Sequence, residues 1–137
     1  MEESQTPDPK IQVRSLRADA PELNFVRSSW LRSFWQNYRG PEMDFAEFKA
    51  SHTLYMRKLI EETTVRVIEF EGIEEVLGYS VADDMRQVAH WVYVKQPYRR
   101  QHLATALLKG NTRYTCDTPH GRRLAQSLSL KYNPYLR

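Results

Sequence analysis

Hydrophobic spacing changes several times along the chain, and each change predicts an element. Ile11, Val13 and Leu16 suggest a short first strand. Asp19-Ala20-Pro21-Glu22 reads as a helix start, with Asp19 able to cap, Pro21 suited to the first turn and Glu22 at the reciprocal capping position. Leu23, Val26, Trp30, Phe34 and Trp35 then recur at helical spacing, as far as Tyr38-Arg39-Gly40-Pro41, where glycine and proline disfavour continuation. Asp44-Phe45-Ala46-Glu47 repeats the start signature. Behind it Phe45, Phe48, His52, Tyr55 and Leu59 form one stripe of a helix reaching about Glu62.

The period then shortens. Val65 to Phe70 reads as a strand broken by Glu71-Gly72, Val76 to Val81 as a second, and Asp83-Asp84 as the next turn. Val88 to Val94 is apolar almost throughout and therefore a central strand. A turn over residues 95–101 leads into a helix bearing Leu103, Ala104, Leu107 and Leu108, which Gly110 and Asn111 end. Tyr114 to Thr118 reads as a strand, Gly121 to Leu130 as a helix and Tyr132 to Leu136 as a final strand. The order β-α-α-β-β-β-α-β-α-β predicts a mixed α/β fold with a mixed central sheet. Its three consecutive strands should be antiparallel, and the strand–helix–strand unit after residue 88 parallel and right-handed.

A chain of 137 residues suits one domain. Residues 1–9 are polar and contain Pro7 and Pro9, so they read as a flexible tail ahead of a single domain over residues 10–137. No apolar run approaches the roughly 20 residues of a membrane span, and the start MEESQTPDPK is unlike a signal peptide, so a soluble cytoplasmic protein with no membrane partner is expected. One cysteine excludes a disulfide framework and a multi-thiolate zinc site.

The net charge of +3 conceals an asymmetry. Residues 1–85 hold 10 basic and 16 acidic side chains, whereas residues 86–137 hold 10 basic and one acidic, Asp117. A basic half points to a polyanionic partner, either nucleic acid or a phosphorylated cofactor, or else to a solvated surface without one.

The run from His90 to Leu108 combines a buried strand, a basic turn and a helix start. The first turn of a helix offers free N–H groups and a partial positive charge, and Lys95, Arg99 and Arg100 add full charges there. Two readings stand: an anion site, or an ordinary turn with solvated arginines. Arg99-Arg100-Gln101-His102-Leu103-Ala104, after a strand ending in the pair Val92 and Val94, resembles the Gln/Arg-x-x-Gly-x-Gly/Ala motif of the GCN5-related N-acetyltransferase (GNAT) superfamily. The flanks Pro97-Tyr98-Arg99-Arg100 and Ala104 to Leu108 are similar too, as is the element order over residues 11–136 with two helices between the first two strands. The compact size and short C-terminal segment also look like small phage-encoded proteins.

The resemblance implies an acyl-CoA N-acyltransferase fold, acetyl-CoA as co-substrate and an amine as acceptor. It implies that the backbone of Val92 and Val94 pairs with pantetheine where two parallel strands splay. It further implies that amides of Arg100, Gln101, His102, Leu103, Ala104 and Thr105 cradle the pyrophosphate, with side-chain charge from Arg99. One departure is His102 in place of the motif's first glycine; Ala104 at the second small position is within the pattern. Some members, the arylalkylamine type among them, carry a histidine base where His90 stands, and an imidazole titrates near neutrality as a base should. The other reading of His90 is a residue that packs beneath the sheet. The superfamily often places an acidic tyrosine four residues after a small residue resembling Ala125; here that position is Ser129, which leaves Tyr132 and Tyr135 as substitutes.

Three other features are weighed. In Cys116-Asp117-Thr118-Pro119-His120 the thiol and imidazole could pair only on a helix, which Pro119 disfavours, so no nucleophile or metal site is expected. The aromatic residues Trp30, Phe34, Trp35, Tyr38, Phe45, Phe48 and Tyr55 read mainly as core, with a residual wall for a ring or nucleobase. The acidic side chains of residues 61–84 would attract a cationic amine. Two functions follow: an N-acyltransferase moving acetyl from acetyl-CoA to an amine, or a catalytically silent module of the same fold whose basic half binds a CoA-like ligand or nucleic acid.

Overall fold

The computed structural model describes residues 10–36, 43–99, 102–115 and 119–136. The tail 1–9, the helix stop at Gly40-Pro41, Arg100 and Gln101, and Cys116-Asp117-Thr118 lie outside the described residues. The elements are β1 (Ile11–Ser15), α1 (Leu23–Gln36), α2 (Phe45–Glu62), β2 (Thr64–Phe70), β3 (Gly78–Asp83), β4 (Val88–Val94), α3 (Leu103–Leu107), β5 (Arg113–Tyr114), α4 (Pro119–Leu128) and β6 (Lys131–Tyr132). They form one six-stranded sheet in the order β1-β2-β3-β4-β5-β6. The β1–β2, β2–β3 and β3–β4 pairs are antiparallel. The β4–β5 pair is parallel, as the strand–helix–strand reading expected, and so is the β5–β6 pair.

Alternation along the strands sorts the side chains into two cores. On one face Val65 and Val67 of β2, Tyr79 and Val81 of β3 and Trp91 of β4 meet Leu23, Val26 and Trp30 of α1 and Met56 and Leu59 of α2. On the other, Ile68, Leu77 and Val94 meet Leu103 and Leu107 of α3. Of the aromatic residues expected in the core, Trp30 and Phe48 are buried and Phe34, Trp35 and Tyr55 half-buried, whereas Phe45 is exposed and Tyr38 lies outside the described residues. Trp30 stacks on Trp91 with centroids 5.8 Å apart, and His52 lies parallel to Phe34 at 4.4 Å and to Phe48 at 5.2 Å. The buried Tyr79 hydroxyl finds Ser29 Oγ at 2.8 Å and donates to the Val26 carbonyl at 3.2 Å. Burial raises its pKa well above the ordinary phenol value, so it stays neutral.

Helix α2 begins as its sequence signature says, the Glu47 N–H donating to Asp44 Oδ1 at 2.9 Å. Helix α1 does not. Its first residue is Leu23, because residues 17–23 form successive turns in which the N–H of Ala20 donates to the Arg17 carbonyl and that of Leu23 to the Ala20 carbonyl. Glu22, expected in a capping box, instead takes Arg14 Nη2 at 2.6 Å. The last strands are shorter than expected, two residues each, and Pro134–Leu136 coils into a 3-10 turn. Among the described residues no helix is long and apolar enough to cross a membrane.

Candidate active site

Strand β4 has a closed edge and an open one. Toward β3 it pairs along its whole length, Gly78 with Val94, Tyr79 with Tyr93, Ser80 with Val92 and Val81 with Trp91, after which the register shifts to Ala82 with Ala89. The residue left over is His90. One extra residue bends a strand and sharpens its twist. On the other side, the ladder to β5 comprises only Val88–Arg113 and Ala89–Tyr114, followed by the Thr115 N–H donating to the Ala89 carbonyl at 3.1 Å. Beyond Ala89 no described strand pairs with β4 on that side.

The direction of the peptide groups follows from the ladder. The Lys95 N–H donates to the Leu77 carbonyl at 2.8 Å. Antiparallel alternation then turns the polar groups of Tyr93 and Trp91 toward β3 and those of Val92 and Val94 toward the open edge. The two valines singled out by the motif are thus the ones whose backbones face the gap. Their side chains pack on the α3 side, Val94 buried and Val92 half-buried.

The turn beyond β4 contains a 3-10 stretch, Gln96–Tyr98, with Pro97 near its start. Arg99 folds back: its Nε donates to the Val94 carbonyl at 2.9 Å and its guanidinium lies 5.9 Å from the Tyr93 ring centroid. Arg100 and Gln101 lie outside the described residues. His102 has φ 61° and ψ 18°, the left-handed conformation that glycine adopts freely and that costs another residue about 1–2 kcal/mol. The backbone therefore keeps the course that the motif's glycine would give it, and the imidazole side chain is exposed. Leu103 is buried, Ala104 half-buried and Thr105 exposed. The first bond within α3 runs from the Ala106 N–H to the His102 carbonyl at 3.2 Å, which places the N–H groups of Leu103, Ala104 and Thr105 ahead of the helical ladder.

His90 sits at the bulge with 2% of its surface exposed, its Nδ1 2.8 Å from Thr115 Oγ1. Thr115 is fully buried and holds both neighbours, Ala89 through its backbone and His90 through its side chain. The sequence reading missed Thr115. Only the parallel β4–β5 pairing makes neighbours of residues 25 apart, and no local spacing announces that.

Other expectations are redistributed. Lys95, read as part of the anion-attracting turn, is committed to Glu75 at 3.5 Å and to the Phe25 ring at 5.0 Å. Half of the eight acidic side chains expected to draw an amine are engaged as well: Glu69 by Arg14, Glu75 by Lys95, Asp83 by Arg86 and Asp84 by Arg66. Ser129 is exposed at φ 58°, just past α4. Tyr132 stands in register with Tyr114, which is in register with Ala89, so β6 joins β4's N-terminal end and not the open edge at Val92 and Val94. Tyr135 follows it in the 3-10 turn.

No family model matches the sequence. No curated protein matches it. Solved structures do match the architecture. A possible acetyltransferase from Clostridium difficile 630 superposes with a TM-score of 0.56 at 15% identity, covering 88% of this chain and 90% of the other. A provisionally named acetyl transferase from Pyrococcus furiosus gives 0.56 at 14% identity over 90% and 79%. AAC(6')-Iy, in complex with the bisubstrate analogue CoA-S-monomethyl-acetylneamine, gives 0.53 at 15% identity over 89% and 91%. With its two helices between the first strands, its bulged fourth strand and the short parallel pair beside it, this chain has the acyl-CoA N-acyltransferase fold of the GCN5-related N-acetyltransferases.

Proposed function

We propose that the protein transfers an acyl group, acetyl in the simplest case, from an acyl-CoA to an amine. The observation that carries this reading is the open edge of β4. Val92 and Val94 aim peptide groups at space that β5 does not fill, and an unpaired strand edge accepts an extended chain of amides such as pantetheine. The bound thioester supplies the activated acyl group. Arg99 and Arg100 contribute charge toward the diphosphate, with the amides of Gln101, His102, Leu103, Ala104 and Thr105. Arg99 is bonded to the very carbonyl that a pantetheine amide would use, so it leaves Val94 as the donor enters. His90 serves as the general base, directly or through one water, with its ring orientation set by Thr115.

One observation favours the second reading, a silent binding module: the register keeps Tyr132, the tyrosine of β6, away from the open edge, so it is not assigned as the acid for the leaving thiolate.

Calorimetry with CoA, together with an acetyl-transfer assay over a panel of primary amines, tests both. CoA should bind the wild type and bind about tenfold or more weakly to the Arg99→Ala/Arg100→Ala variant, each charge-assisted bond contributing roughly 1.5–3 kcal/mol. His90→Gln should keep CoA affinity and lose about 10²–10⁴-fold in transfer rate. Wild type without CoA affinity overturns the proposal. Wild type that binds CoA and transfers to no amine selects the silent module.

A further inference from the structure

The basic excess of the C-terminal half is only partly gathered at the turn after β4. Arg113 registers with Val88 at the start of β4, and Lys131 registers with Arg113. From Val88 to Val94 the strand advances about 20 Å at roughly 3.3 Å per residue. Charge at Arg113 and Lys131 is therefore remote from the α3 turn and does not serve a diphosphate there.

Those two cations stand side by side on an exposed two-residue ladder, an arrangement in which like charges repel. Among the described residues no carboxylate pairs with either. Arg14, Arg66 and Arg86, by contrast, each hold one within 2.7 Å. The residues that follow them, Tyr114 and Tyr132, alternate to the other side, where their rings lie 5.3 Å apart at 44°. Tyr132 is 45% exposed and Tyr135 in the next turn 94%. That turn is fastened to the body of the sheet by Arg86 Nη2 donating to the Leu136 carbonyl at 3.0 Å and by the Asn133 N–H donating to the Tyr114 carbonyl at 2.9 Å.

We infer that the β5–β6 edge binds single-stranded nucleic acid, with phosphates at Arg113 and Lys131 and bases stacked on Tyr132 and Tyr135. Unpaired cations on one side of this short edge and exposed rings on the other match a flexible polymer that alternates phosphates with flat faces and can pass over the edge. An acidic peptide would answer the cations and leave the rings without a role. A duplex keeps its base faces inside the stack. The inference is independent of acyl transfer, since none of these residues belongs to the open edge of β4.

The test is fluorescence anisotropy of the whole protein with labelled oligo(dT) and oligo(U) of about 12 nucleotides, at several salt concentrations. Arg113→Ala/Lys131→Ala should weaken binding and lower the logarithmic salt slope by about 1.4, at about 0.7 per released phosphate contact. Tyr132→Ala and Tyr135→Ala should each weaken binding about tenfold with the slope kept. Tyr132→Phe, which preserves the ring, should bind as wild type and guards against a folding artefact at that position. CoA affinity should be the same in all variants. The inference is overturned by the absence of binding at low salt, by full affinity in the double cation variant or in both tyrosine-to-alanine variants, by equal affinity for duplex or polyglutamate, or by a parallel loss of CoA affinity in the Arg113/Lys131 variant.

Discussion

Along its β3 side, β4 spends its peptide groups on a neighbour from Val88 to Val94, interrupted only at the bulge. Along its β5 side it is paired at Val88 and Ala89, and beyond them no described strand pairs with it. The two sides belong to the same seven residues, so composition cannot be the cause. The bulge at His90 is. It changes which residues face which edge, so that the polar groups of Ala89, Val92 and Val94 look toward β5, where the Thr115 N–H meets the Ala89 carbonyl. Backbone groups without partners are costly inside a protein. Here Arg99 Nε satisfies the Val94 carbonyl, and side-chain packing that does not depend on the ladder supports the strand: Trp91 stacked on Trp30 on one face, Val94 against Leu103 and Leu107 on the other.

The largest effect should come from disturbing the closed side. A Cβ added at Gly78 would meet the Tyr93 carbonyl oxygen at 2.5 Å and the Val94 Cα at 3.1 Å, both backbone and neither able to rotate away. Gly78→Ala should cost about 3 kcal/mol in urea unfolding, at the upper end for an overpacked core. Because it pushes on the two residues flanking the open edge, it should also weaken CoA binding. An alanine variant as stable as wild type would mean that the close β3–β4 approach at Gly78 is not what holds β4 in place.

A smaller effect is expected on the open side. Thr115→Val keeps the shape and the backbone bond to Ala89 and removes the hydroxyl that meets His90 Nδ1. Losing one buried partner costs about 1–2 kcal/mol. If the hydroxyl also orients the ring, the pH dependence of acyl transfer should move while CoA affinity stays. A shift in stability with an unmoved pH profile would reduce Thr115 to a structural role.

These two sites also show what could be read from the chain. The central position of β4 was legible because residues 88–94 are apolar almost throughout, and Val92 and Val94 could be named because the motif after them fixes the strand's end. The bulge was not legible. It is one surplus residue with no compositional mark, visible only when β3 is laid beside β4. His90 was chosen for its chemistry, but its partner is set by a parallel pairing that jumps from residue 89 to residue 114. Local signals misled where tertiary partners outbid them. Glu22 had the spacing of a capping residue, yet Arg14 of β1 claims its carboxylate and α1 starts later. Lys95 looked free in a basic turn, and Glu75, twenty residues earlier, pairs with it.

The smallest effect concerns the far edge of the sheet, where β1 has one partner strand and all five of its residues are exposed. Side chains reinforce that ladder: Arg14 Nε meets Glu69 Oε1 at 2.6 Å, Gln12 Nε2 donates to the same oxygen at 3.0 Å, and Arg14 Nη2 reaches Glu22 at 2.6 Å. The bond from Arg14 holds the Glu69 carboxyl below its ordinary pKa, against the opposing effect of burial. A carboxylate depressed in the folded state binds protons more weakly there than in the unfolded chain. Its contribution is therefore present above the unfolded value, about 4.3, and is lost as pH falls through the folded one. Glu69→Gln should cost no more than about 1 kcal/mol at pH 7, because Arg14 remains half exposed. The gap between the two stability curves should close as pH falls below about 4, leaving in both the slope due to Glu22, Asp83 and Asp84, whose carboxyls arginines likewise depress. Amide exchange at Gln12 and Arg14 should quicken in the variant at pH 7 and converge with wild type in acid. A gap that does not narrow at all as pH falls would show that the charge at residue 69 is not what secures the first strand.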